Sequence, residues 1–125
     1  MKIMTRLVLG VALIAGCSST EKTDIADATV NGQPFHIFRE GPMPAAGVMT
    51  TLVIKPTTGV KPDEIRVWVG AAETPDAEKV VGEFDAGDGD FDFALTCPNP
   101  MPDSSMIYVE VTEGAVVTTT SVPIK

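Results

Sequence analysis

The amino-acid sequence predicts an all-β fold, a sandwich of seven short strands in two sheets, behind an export signal and a polar tether. Two observations carry that reading. From Thr29 onward, runs rich in Val, Ile, Thr and aromatic residues recur between clusters of Gly, Pro, Asn and Asp. Their spacing of roughly ten residues is the signature of a sandwich or barrel. No window sustains a helical period, and Thr74 to Lys79 has room for a single turn at most.

The first element is residues 1–16. Lys2 and Arg6 give a basic start, Leu7 to Gly16 is an apolar run, and small residues lead up to Cys17. A basic start, a short apolar core and a small-residue exit describe a secretory signal peptide. The run falls well short of the ~20 residues of a membrane-spanning helix. Its last residues with the cysteine, Ile14-Ala15-Gly16-Cys17, resemble the lipobox of bacterial lipoproteins. That resemblance implies cleavage before Cys17, a diacylglycerol on the Cys17 thiol and a fatty acyl chain such as palmitate on the new N-terminus. Two or more chains, at ~0.8 kcal/mol per buried methylene, anchor a protein stably where one does not. Ser18, next in line, resembles lipoproteins sent to the outer membrane of a two-membrane cell, facing the periplasm or the exterior. Residues 17–28, "CSSTEKTDIADA", then form the lipidated cysteine and a flexible tether, and residues 29–125 the folded domain.

Strands are expected at Thr29–Arg39, Val48–Lys55, Glu64–Val69, Lys79–Asp85, Asp90–Thr96, Met106–Thr112 and Val116–Ile124. Strict alternation supports three of them. Phe91, Phe93 and Leu95 alternate with Asp90, Asp92 and Ala94; Ile65, Val67 and Val69 with Arg66 and Trp68; Ile107, Val109 and Val111 with Tyr108 and Glu110. Seven strands in a chain of this size suit an immunoglobulin-like β-sandwich. "GDGDFDFAL" followed by "CPNPMPDSSMIYVEV" resembles bacterial immunoglobulin-like modules in its order of turn, aromatic-alternating strand, Pro-rich loop and apolar strand. "EIRVWVG" resembles their third strand, which often carries a Trp. The resemblance spans about Thr29 to Ile124. It lacks the paired core cysteines of antibody domains, and Tyr108 is out of phase for a tyrosine corner.

Charge narrows the partners. The formal net charge is −8, both Lys2 and Arg6 lie in the signal, and every Asp and Glu follows Cys17, so the mature chain is more acidic still. An acidic, solvated surface argues against nucleic acid and against electrostatic docking on anionic lipid. The mean hydropathy of +0.19 is inflated by the signal. With Cys17 a thioether, Cys97 is the remaining thiol and no internal disulfide can form. Cys97 extends the Phe91-Phe93-Leu95 face without a basic neighbour in sequence, as a small buried hydrophobe does.

The stretch "DAGDGDFDF" offers Asp85, Asp88 and Asp90 as ligands for calcium. A loop of EF-hand type starting at Asp88 fails twice: Phe93 stands where Gly must turn, and Asn99 where a bidentate Glu is needed. A hairpin explains more, with Gly87, Asp88 and Gly89 supplying positive backbone angles and Asp90 and Asp92 lying on a solvated outer face. Copper is the other metal to weigh, through His36 and Met43 with further methionines. A lone His and no tight Met-x-Met spacing weigh against it. The expectation is a turn, with no metal and no cofactor.

No nucleophile–base motif and no phosphate-cradling glycine loop is present in the sequence, which reads as a non-enzyme. If the aliphatic triplets face the core, Trp68 and Tyr108 face away from it on neighbouring strands, beside Arg66. Trp, Tyr and Arg are the types most enriched at binding hot spots. Arg66, Trp68 and Tyr108 are therefore the expected exposed binding surface, for a protein or an envelope polymer. The sequence reads as a lipid-anchored binding or structural module, with a periplasmic copper- or calcium-binding lipoprotein as the alternative.

Overall fold

In the computed structural model, which describes residues 22–58 and 60–125, the chain first doubles back at Asn31-Gly32. Both residues take positive φ, 52° and 78°. That is the two-residue hairpin geometry whose twist matches the flanking strands. It joins β1 (Lys22–Val30) to β2 (Gln33–Glu40). The expected first strand, Thr29–Arg39, is thus interrupted by a turn at Asn31-Gly32, so that reading is corrected to two strands. The expected tether is also shortened: Lys22 to Ala28 is a paired strand, matched from Lys22↔Glu40 onward. The expected signal peptide and Cys17 lie outside the described residues.

The remaining strands are β3 (Met49–Pro56), β4 (Glu64–Gly70), β5 (Val80–Val81), β6 (Glu83–Asp85), β7 (Asp90–Thr96), β8 (Met106–Glu113) and β9 (Val116–Val122). All pair antiparallel, in two sheets ordered β1-β2-β3-β7-β6 and β9-β8-β4-β5. The architecture is the expected β-sandwich, with nine strands among the described residues rather than seven. Setting β1 aside, the neighbour order matches the A-B-E-D and G-F-C-C′ sheets of immunoglobulin domains. A single 3₁₀ turn, Asp76–Glu78, stands where one turn was expected. No helix among the described residues is long and apolar enough to cross a membrane.

The core lies between the inner faces. Phe35, Ile37, Leu52, Ile54, Phe91, Phe93 and Leu95 from one sheet meet Ile65, Val67, Val69, Ile107, Val109 and Val111 from the other, all buried. The period of two decides which side chains enter. Cys97 continues the β7 face, buried as expected, and burial pushes its thiol pKa up.

The expected strand Lys79–Asp85 is cut in two at Gly82, because the chain changes sheets there: β5 pairs with β4 and β6 with β7. The Gly82 N–H donates to the Ile65 carbonyl at 2.9 Å, and a side chain at this position would run into the Phe93 ring. A second irregularity is a register shift in β1 between Asp24 and Ala26. An extra residue in a strand reverses the alternation beyond it. Asp24 and Asp27, three apart, consequently share the outer face, where both reach His36.

Candidate functional site

Two clusters on the outer faces contain most of the residues singled out from sequence. The first is built on β4 and β8, whose register places Trp68 opposite Tyr108 and Arg66 opposite Glu110. The aromatic rings stack, with centroids 5.4 Å apart and planes 11° from parallel. Both point away from the aliphatic core, as alternation requires. The structure nevertheless corrects the expectation of an exposed patch, because Trp68 is only 4% exposed.

The segment after β4 covers it. The indole N–H donates to the Ala71 carbonyl at 2.9 Å, and Lys79 places its ammonium 4.5 Å from the Trp68 ring centroid. A cation over an indole face is held by the ring quadrupole. Lys79 is in turn fixed by carboxylates, Asp76 at 3.0 Å and Glu110 at 3.3 Å. Glu110, itself buried, also accepts from Arg66, whose Nε is 2.7 Å from Oε1. The hydrogen bond from Arg66 to Glu110 raises the guanidinium pKa further, against the opposing effect of burial. Asp76 holds the Lys79 pKa above its ordinary value, and Lys79 draws that of Asp76 below its own. Glu110 and Lys79 were missed in the sequence. Their charge suggested solvated positions, and the loop that brings Lys79 across carries only turn chemistry.

The second cluster sits on the outer face of the other sheet. Residues Ala86–Gly89 form the expected turn between β6 and β7. Asp85 organises it: its Oδ1 accepts from the Gly87 N–H at 2.9 Å and its carbonyl from the Gly89 N–H at 2.7 Å. Gly89 adopts φ of 72°; Gly87 and Asp88 do not take the positive angles expected of them. Carboxylate oxygens of Asp85, Asp88 and Asp90 converge to within 4.8 Å of one another. Asp90 departs from the expected solvated face: it points outward yet is only 6% exposed. Burial, then the charges of Asp92, Asp88 and Asp85, push its carboxyl pKa up.

His36 and Met43, the copper candidates, are placed differently from each other. His36 lies between two carboxylates, Nδ1 2.7 Å from Asp27 and Nε2 3.0 Å from Asp24, so both ring nitrogens are engaged by oxygen. Met43 is half-exposed, in the loop between β2 and β3. Asp24 and Asp27 were missed because they fell in the expected tether. His36 and Asp24 line one shallow depression of about 250 Å³ with Lys22, Lys55, Asp88 and Asp90. The second cluster therefore opens onto a polar recess, whereas in the first the indole is covered by the segment after β4. No family model matches the chain, and no curated protein or solved structure is significantly similar to it.

Proposed function

We propose that the chain is a lipid-anchored lipoprotein of the bacterial cell envelope whose immunoglobulin-like sandwich acts as a non-catalytic binding or structural module. The observation that carries this is Ile14-Ala15-Gly16-Cys17 after a basic start and a short apolar run. Ser18 favours the outer membrane as its destination. The paired strand starts at Lys22, five residues beyond Cys17. Five residues reach at most about 18 Å. An acyl group on Cys17 therefore holds the sandwich close to the lipid surface, as a module working at that surface requires. Its acidic character keeps it from lying flat on anionic headgroups.

The folded domain supports the same reading from its own side. Arg66, Lys79, Glu110 and Asp76 are tied to one another across Trp68, which rigidifies the β4–β8 face. A stiff scaffold with short loops suits a spacer or docking module. Growth with a clickable fatty acid, followed by membrane fractionation, tests the anchor. Label on the wild-type chain and none on Cys17→Ser, which leaves the membrane fraction, is the expected result. Equal labelling and equal membrane association of the two would overturn the assignment.

A further inference from the structure

The three aspartates of the β6–β7 turn satisfy one another's geometry but not one another's charge. Asp85, Asp88 and Asp90 each present an oxygen, all within 4.8 Å of one another. Among the described residues no ion pair joins Lys22 or Lys55 to any of them, although both lysines line the adjoining recess. A solvated acidic turn would need nothing more, and two of the three are ordinary in that respect.

Asp90 is different. It is more than nine-tenths buried, and its Oδ1 is inaccessible to solvent with no hydrogen-bond donor in reach. A buried carboxylate oxygen without a partner costs several kcal/mol in general, so native proteins give such a group a donor, a proton or a metal. The neighbouring carboxylates of Asp85 and Asp88 supply no donor when ionised, and the Asp85 Oδ1 already accepts from the backbone of the turn. A cation supplies what is missing.

We propose that Asp85, Asp88 and Asp90 bind a calcium ion at the β6–β7 turn, with water and turn carbonyls completing the coordination. Calcium takes roughly six to eight oxygens in an irregular, adaptable shell, whereas magnesium demands a near-octahedral one at about 2.0–2.1 Å and gives up its waters reluctantly. Three carboxylates on a short turn, with water and carbonyls filling the rest, suit the more adaptable ion. The donor set is all oxygen, which disfavours copper and zinc. The turn is fixed in advance by the hydrogen bonds within Asp85–Gly89, so binding orders little new backbone. The affinity expected is that of exterior modules with few charged ligands, roughly 10⁻⁴–10⁻³ M. The site is independent of the lipid anchor and stands or falls separately from it.

The test uses the full chain purified in mild detergent and stripped with a chelator. Calorimetric titration with calcium chloride should give one site, and about 10 mM calcium should raise Tm by roughly 5–10 °C. Magnesium at the same concentration should give a much smaller shift. Asp88→Asn, at an exposed position that folding tolerates, should weaken calcium binding at least about tenfold. Asp90→Asn should abolish it while raising the Tm of the stripped protein, because the neutral amide removes a buried charge. Asp92→Asn, on the same strand but outside the trio, should bind like the wild type. The proposal fails if the wild-type chain shows neither heat nor a Tm shift, or if magnesium matches calcium. It fails equally if the Asp88 and Asp90 variants respond as the wild type does.

Discussion

Gly82 is where the chain passes from one sheet to the other, and a single methyl added there should be costly. Its φ is not in the left-handed region, so the backbone conformation alone would admit alanine. Taken by itself, the loss of glycine's freedom in the unfolded chain would stabilise by about 0.4–1 kcal/mol. The neighbourhood decides otherwise. A Cβ at Gly82 would stand 2.6 Å from both Cε2 and Cζ of Phe93 and 3.3 Å from Cβ of Phe91. Carbon atoms prefer about 3.5–4.0 Å, so the Phe93 ring would have to retreat by roughly 1 Å. Phe93 is wholly buried, and Leu52 is its partner across the strand pair. Overpacking of this kind costs about 1–3 kcal/mol, and offsetting the unfolded-state gain leaves roughly 1–2 kcal/mol of net destabilisation.

Urea unfolding of residues 18–125 measures this as a midpoint lowered by about 1 M at unchanged slope, given slopes of about 1–3 kcal/mol/M. The decisive comparison is a double-mutant cycle with Phe93→Leu, which removes the ring atoms the new methyl would strike. Phe93→Leu alone should be destabilising through the cavity it leaves. In that background Gly82→Ala should cost at least about 1 kcal/mol less than in the wild type. A Gly82→Ala variant within about 0.5 kcal/mol of wild type, or one equally damaging in both backgrounds, would refute the steric account.

Two further outcomes follow from the charged clusters. The single Trp68 should emit blue-shifted and shielded from iodide; Glu110→Ala removes the carboxylate shared by Arg66 and Lys79 and loosens the cover over the indole, so it should lower Tm and move that emission to the red. His36 has its pKa raised, chiefly by the hydrogen bond to Asp27, so the triad's contribution is fully present below the unfolded value near 6.5 and lost as pH rises through the higher folded value. With both aspartates exposed that contribution is under about 1 kcal/mol, and His36→Gln should flatten the stability profile in this window, as melts between pH 5 and 8 would show.

The strands were legible in the sequence wherever a period of two ran uninterrupted. Asp90–Thr96 has the bounds expected, and Glu64–Gly70 and Met106–Glu113 run one residue longer than expected. Reading failed where a single residue redirected the chain. Asn31-Gly32 folds an apparent strand into a hairpin, Gly82 divides another between sheets, and the register shift between Asp24 and Ala26 breaks the alternation of a polar stretch that reads as linker. A polar edge strand has almost no composition of its own. What made β1 a strand is its pairing with β2, and that is a tertiary fact.

Alternation also says which face a side chain takes and nothing about what covers that face. Trp68, Tyr108 and Arg66 are on the outer face that sequence assigned them, and the segment after β4 then closes over the indole. Residue types prized at interfaces here serve an internal cover: the indole N–H has its acceptor, the ring its cation, the cation its carboxylates. Asp90 is the converse. Its outward position predicted exposure, and it is buried with one oxygen unanswered. A group whose polar needs are met from within gives no reason to look for a ligand, however suggestive its chemistry. A buried group whose needs are unmet gives such a reason even in a surface turn. That asymmetry moves the search for a ligand away from the aromatic face, where composition pointed, to the recess beside Asp88 and Asp90.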